Sequence, residues 1–348
     1  MTTPDRLTIR RPDDWHVHLR DGAMLEAVAI HTARQFARAI VMPNLVPPVT
    51  SAEAAAAYRR RILAVLPDGC DFTPLMTCYL TDATDPAALA AGFADGSFTA
   101  AKLYPAKATT NSAFGVTDIT RLTPVFERMA KIGMPLLIHG EVTDPAVDIF
   151  DREAVFVDTV LIPLRVRVPG LKIVLEHITT AEAAAYVAQA EAGIAATVTP
   201  HHLLINRNAI FNGGLRPDAY CLPVAKRESH RQALRRAVAS DSDRFFLGTD
   251  TAPHPRHAKE AECCAAGVFC APFALEIYAD IFDDLGALDR FEGFASLNGP
   301  RFYGLSPNEG TVTLERAPTI IPDSVGAAVG GVKPFRAGET IGWRMVEP

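Results

Sequence analysis

Eight short apolar runs, separated by stretches of helical character, constrain this chain more than any other feature. The runs lie at 13–19, 39–42, 72–80, 99–104, 135–139, 172–177, 194–199 and 245–250. Helices are expected after them, at 24–36, 52–66, 86–93, 117–131, 147–161, 180–190, 226–239 and 272–282. Ser51 suits an N-cap, and Pro86 suits the first position of its helix. Strands that alternate with helices pair in parallel through crossovers, and eight such units favour a closed (β/α)8 TIM barrel over an open sheet. Runs such as Leu136-Leu137-Ile138 are apolar at every position, as burial on both faces requires. The 348 residues exceed the usual single-core size, yet barrels reach it as one domain. No linker interrupts 13–284, so 1–348 is expected to form one barrel domain. Residues 291–348, rich in Gly and Pro, are expected to form a C-terminal extension packed on the outside of the barrel.

Charge and cysteines narrow the class. A formal net charge of -6 and a pI near 5.9 argue against a nucleic-acid surface, which needs a basic patch. No apolar run is long enough to span a bilayer, and 1–11 carries no apolar signal-peptide core. Cys70, Cys78, Cys221, Cys263, Cys264 and Cys270 form no Cys-x-x-Cys pair, so free thiols are expected. The expectation is a cytoplasmic globular protein.

The polar residues are placed unevenly. His16, His18, Asn44, Lys102, His139, His177 and Asp250 each stand at or just past the end of an apolar run. In a βα barrel those ends converge on one face, where catalysis occurs. His16 and His18 share a strand face by the period of two, and neutral imidazoles suit a borderline cation such as zinc. His31, His230 and His257 fall elsewhere and are assigned to the surface, while His201 and His202 read as hydrogen-bonded structural histidines. Lys102 has three readings. It is a Schiff-base nucleophile, a carbamate formed with carbon dioxide whose two oxygens bridge two cations, or an ammonium paired with Asp250. Two cations would acidify a shared water, and Asp250 could take its proton and pass it to a leaving nitrogen.

The stretches Asp14-Trp15-His16-Val17-His18-Leu19-Arg20-Asp21-Gly22, Met42-Pro43-Asn44, Lys102-Leu103-Tyr104-Pro105, His139-Gly140-Glu141, Glu176-His177-Ile178-Thr179 and Gly248-Thr249-Asp250-Thr251-Ala252-Pro253-His254 carry a resemblance. In this order, and over nearly the whole chain, they resemble the short, bacterial-type dihydroorotases of the amidohydrolase superfamily. The resemblance implies reversible closure of N-carbamoyl-L-aspartate to L-dihydroorotate in pyrimidine synthesis, on two zinc ions per subunit. It implies one zinc on His16, His18 and Asp250 and the other on His139 and His177. Carboxylated Lys102 would bridge them, with Asp250 as proton shuttle. Arg20, Asn44 and His254 match residues that grip the substrate's α-carboxylate, and a guanidinium fork suits that task. Main-chain groups at Leu222 and Ala266 match those that hold the ring amides. Thr109 and Thr110 match a loop that closes on substrate. A homodimer acting on a small molecule, without nucleic acid or membrane, is implied.

Two departures from that pattern are Lys107, a cation just before the loop, and Cys263-Cys264-Ala265-Ala266. The alternatives are a hydantoinase- or dihydropyrimidinase-like hydrolase, a Schiff-base lyase on Lys102, and a non-catalytic scaffold. Arg20 and Asn44, aimed at a carboxylate, speak against the first, and the intact ligand set speaks against the last.

Overall fold

The computed structural model describes residues 5–346. Its strands are β1 (Arg6–Arg10), β2 (Asp13–Val17), β3 (Arg38–Val41), β4 (Thr73–Tyr79), β5 (Ala100–Leu103), β6 (Leu136–Ile138), β7 (Ile173–Leu175), β8 (Ile194–Val198), β9 (Phe245–Leu247), β10 (Thr311–Ile320) and β11 (Thr340–Val346). Strands β2 to β9 are the eight expected from the apolar runs. They lie side by side in chain order, each parallel to the next. The ring closes where His18 N–H donates to Thr251 O at 3.0 Å and Asp250 N–H donates to His16 O at 2.9 Å. The closing contacts are therefore made by the segments that carry candidate ligands.

Every barrel strand is buried on two faces, and the two faces differ. Outward residues such as Val41, Leu103, Ile138 and Leu175 join one large core with the surrounding helices. Inward, Trp15, Ile40, Met42, Ala100, Leu137, Val174, Ala195 and Phe246 form a second cluster, with Leu75 against it. Small Ala100 and Ala195 leave room for the large rings, and Trp15 meets Phe246 edge-on at 6.0 Å. From below, Tyr303 stacks on Trp15 at 4.3 Å, and a Cβ at Gly299 would overlap the same indole. The helix Asn298–Tyr303 thus seals the floor of the barrel. This part of the segment beyond residue 291 lies under the strands rather than along their outside.

Several helices start at a side-chain cap. Ser51 Oγ accepts from Ala54 N–H at 3.2 Å, and Thr180 Oγ1 accepts from Ala183 N–H at 3.2 Å. The helix expected at 147–161 instead begins at Arg152. Asp144 and Asp148 accept from the N–H groups of Ala146 and Phe150, local turns that compete with helix. A wide turn at Val157–Leu161 then lets the chain pass Pro163 and continue to Arg167.

A three-stranded antiparallel sheet, β1–β10–β11, joins the two ends of the chain. It packs on the helix Ala274–Asp284 through buried Trp343, whose indole N–H donates to Asp283 Oδ2 at 3.3 Å. The sequence reading contained none of these strands. No helix among the described residues is long and apolar enough to cross a membrane.

Candidate active site

The inward cluster explains the layer above it. Two residues beyond Ala100, Leu137, Val174, Ala195 and Phe246 stand Lys102, His139, Glu176, Thr197 and Gly248, which the strand period turns to the same side. Gly248 has no alternative there, since a Cβ would lie 2.6 Å from Thr197 Cβ and 3.3 Å from His16 Cβ. His16 enters by a bulge: Asp14 pairs with Ala39 and Val17 with Val41, so Trp15 and His16 together oppose Ile40. Three side chains of the site sit on left-handed backbone, at Arg20 (φ 60°), His177 (φ 42°) and Asp250 (φ 45°). Non-glycine residues adopt that region at a cost, and such strain collects at functional sites.

These turns bring the candidate ligands together with their free nitrogens aimed inward. His16 Nδ1 lies 2.8 Å from Glu176 Oε2 and His18 Nδ1 lies 2.8 Å from Asn44 Oδ1, so both Nε2 atoms remain available. They point at Asp250 Oδ1, at 3.4 Å from His16 and 3.1 Å from His18. The three ligand atoms lie within 4.8 Å of one another. On the other side, His139 Nε2 is held by Glu141 Oε2 at 2.7 Å, which frees Nδ1. The His177 ring stands 4.9 Å from both His16 and His139, and its buried Nδ1 has no hydrogen-bond partner among the described residues. Lys102 Nζ, fully buried, likewise has no hydrogen-bond partner among the described residues. Buried polar atoms are normally satisfied, so this cluster of orphaned nitrogens fits a cation-binding centre.

Electrostatics agree with that reading. Burial, chiefly, holds the His16, His18 and His177 imidazoles below their usual pKa, so they are neutral and able to ligate. Burial also pulls the Lys102 ammonium down to about 8, against the opposing pull of Glu176 and Asp250. An amine so placed gives up its proton readily, as carbamate formation needs. Asp250 is pushed up by burial even though His16, His202 and Lys102 act to lower it.

A small cavity lies above these groups. Its walls include His18, His139, His177 and Asp250 and also Arg20, Asn44, Thr109, Thr110, Leu222 and Ala266. His254 stands behind Arg20: its Nε2 is 3.0 Å from Arg20 Nη2 and 3.0 Å from Ala266 O. One ring nitrogen serves only one of these, and since arginine is always a donor, Nε2 accepts from Arg20. The loop at 105–116 is folded over the cavity. Asn44 Nδ2 donates to Thr110 O at 3.1 Å and Asn111 Nδ2 donates to Asn44 O at 2.9 Å. Lys107 is exposed on its outer side.

The sequence reading gave no role to several residues that the structure brings in. Glu176 and Glu141 orient His16 and His139. Asp14 is fully buried and accepts from His16 N–H, Thr249 N–H and Thr249 Oγ1–H, which ties the first strand to the last. Their adjacency to His16, His139 and His177 in the sequence was the available signal. His202 is a satisfied structural histidine, as expected, with Nδ1 2.9 Å from Thr199 Oγ1 and Nε2 3.0 Å from Pro223 O. His201 is not: neither ring nitrogen has a hydrogen-bond partner among the described residues. With Cys221 the two form a further buried donor cluster, but Lys226 and Lys259 beside it oppose a cation.

Fold and site together define an amidohydrolase. The amidohydrolase family model matches residues 13–325, a span that contains all eight barrel strands and every candidate ligand. Members of this family are metal-dependent. The dihydroorotase of Sphingopyxis alaskensis is 68% identical over 342 residues, 98% of this chain and 99% of that protein. The dihydroorotase structure from Campylobacter jejuni superposes with a TM-score of 0.90 at 36% identity, covering 99% of this chain and 98% of that one. The Saccharomyces cerevisiae dihydroorotase in complex with 5-fluoroorotic acid gives a TM-score of 0.91 at 30% identity, covering 99% of each chain. Within the amidohydrolase family, this chain belongs to the dihydroorotases.

Proposed function

We infer that the protein is a dihydroorotase, a cyclic amidohydrolase that reversibly converts N-carbamoyl-L-aspartate to L-dihydroorotate in pyrimidine biosynthesis. The observation that carries this reading is the convergence of His16, His18, His139, His177, Lys102 and Asp250 beside a cavity walled by Arg20. In this proposal His16, His18 and Asp250 would hold one zinc, His139 and His177 would hold a second, and Lys102, carboxylated on Nζ, would be shared by both. Bound there, zinc supplies a Lewis acid and lowers the pKa of water into the neutral range.

The chain's own groups do the rest. In ring opening, an Asp250 carboxylate oxygen takes the proton from the attacking water and delivers it to the ring nitrogen as the C–N bond breaks. In ring closure the same oxygen takes that proton back from the ureido nitrogen. Asp250 lines the cavity, where its carboxylate can serve as a general base. Arg20 offers its guanidinium to the α-carboxylate, with Asn44 and with His254 behind it. Main-chain groups of Leu222 and Ala266 receive the ring amides, and Thr109 and Thr110 close over the top. A hydantoinase-type ring without a carboxylate leaves the half-buried Arg20 cation unmatched, which disfavours that substrate class. The whole chain as one barrel domain, a homodimeric state and a cytoplasmic location complete the proposal.

The test is turnover. Zinc-loaded protein should open L-dihydroorotate, followed by loss of its ultraviolet absorbance, and chelation should abolish the rate until zinc is returned. Undiminished activity of metal-free protein, or equal turnover of dihydrouracil, would overturn the reading.

A further inference from the structure

Lys259 ends the short helix Arg256–Lys259 and is almost completely buried. No carboxylate among the described residues pairs with it. Instead its ammonium donates to three main-chain carbonyls: Tyr220 O at 2.9 Å, Ala265 O at 2.9 Å and Gly267 O at 2.8 Å. All three protons of the group are thereby used. The acceptors come from two segments that are distant in sequence and meet on one wall of the cavity. Gly267 N–H donates to Tyr220 O at 3.0 Å, and Ala265 N–H donates back to Ala258 O at 3.0 Å. Gly267, left-handed at φ +154°, has no room for a Cβ, which would lie 2.5 Å from Ala252 O.

The two segments matter because of what they carry. Leu222 follows Tyr220 by two residues, and Ala266 lies between the two other acceptors. Both line the cavity. Burying an ammonium with only carbonyls for partners costs desolvation that an ion pair would better offset. An apolar side chain would pack these loops at lower cost, but it would take a donor away from three carbonyls, of which Tyr220 O keeps a main-chain donor in Gly267 N–H. A cation here does two things: it fixes the spacing of the segments, and it places positive charge behind the wall that faces an anionic substrate.

We propose that Lys259 is a positioning residue for substrate, a three-way staple that fixes the Tyr220–Leu222 and Ala265–Gly267 segments at the spacing their main-chain groups need. The proposal rests on the dihydroorotase reading of the cavity. It assigns Lys259 no contact with reacting atoms, so its loss should appear in KM and leave kcat and metal content nearly alone. In Lys259→Met and Lys259→Ala, KM for dihydroorotate should rise roughly ten- to a hundred-fold while kcat stays within about threefold. Propylammonium, which supplies the missing stem and its donors, should lower KM again in Lys259→Ala but have no effect on Lys259→Met, where the space is filled.

Amide hydrogen exchange gives a readout that needs no turnover. The Ala265 and Gly267 N–H groups should exchange faster in Lys259→Met than in the wild type. Should the wild type fail to act on dihydroorotate, the functional reading falls, while exchange still decides the staple. Unchanged exchange at both amides, or an unchanged KM in a folded variant, would overturn the proposal. So would a kcat loss with KM intact. If Lys259→Ala does not fold, Lys259→Met carries the test.

Discussion

Replacing Glu176 by glutamine removes one charge from behind His16 and leaves the shape of the site almost unchanged. In the wild type Glu176 Oε2 accepts from His16 Nδ1–H at 2.8 Å and from Thr197 Oγ1–H at 2.5 Å, and all three groups are buried. Accepting at Nδ1 fixes the tautomer, so Nε2 keeps its lone pair for a cation. A glutamine has two ways to sit. With its oxygen toward His16 it keeps the tautomer but replaces a charge-assisted bond with a neutral one of about half the strength. With its NH2 toward His16 it forces the proton onto Nε2 and removes the ligand. Either way metal affinity should fall roughly 10–100-fold, the usual cost of losing such a partner, or about 1.4–2.7 kcal/mol. Competition titration against a chromophoric chelator measures this directly, and circular dichroism checks the fold. At saturating zinc most of the turnover should return. An affinity within a factor of about two of the wild type would deny Glu176 this role. Glu176 would then be a packing residue, and the case for His16 as an Nε2 ligand would lose its orienting group.

Three further outcomes follow from the same geometry. Asp250→Asn keeps an oxygen near the cations but cannot take a proton, so kcat should fall by roughly two to four orders of magnitude with the fold intact. In the wild type, ring opening should fail on acidification as the Asp250 carboxylate takes up a proton. The Asn variant should lose that acid limb in a pH–rate profile. Arg20→Met should lower kcat/KM for dihydroorotate by an amount on the order of 2 to 4 kcal/mol, without changing metal content. Its preference over dihydrouracil should shrink, and an undiminished preference would make Arg20 structural. Lys102→Ala should be nearly inactive and partly restored by acetate or propionate, whereas Lys102→Arg should not respond, which steady-state rates with added acid will show.

The barrel was legible because parallel strands buried on two faces must be apolar almost throughout, and 136–138 or 245–247 announce themselves on that ground. The metal-site candidates were legible because polar side chains at the ends of such strands have one place to go. What was not legible depends on distance rather than pattern. The bulge that turns both Trp15 and His16 inward has no composition mark, and the left-handed backbone at His177 and Asp250 runs against residue preference. Glu141 and Glu176 were visible as neighbours of histidines, but only coordinates pair Glu176 with His16 across 160 positions. The β1–β10–β11 sheet joins the first described residues to the last, a non-local pairing that no window of sequence contains. The floor made by Phe302 and Tyr303 was hidden in a segment rich in glycine and proline.

The proposed centre would hold two zinc ions that share a carboxylated Lys102 between the His16–His18–Asp250 and His139–His177 sides of the barrel. X-ray diffraction recorded on both sides of the zinc absorption edge, from crystals grown with zinc and bicarbonate, tests it most directly. Two anomalous peaks about 3.5–4 Å apart are expected. One should lie against His16 Nε2 and His18 Nε2, the other against His139 Nδ1 and His177, with three-atom density continuing from Lys102 Nζ between them. A single peak, or two peaks with a bare ammonium between them, would contradict it.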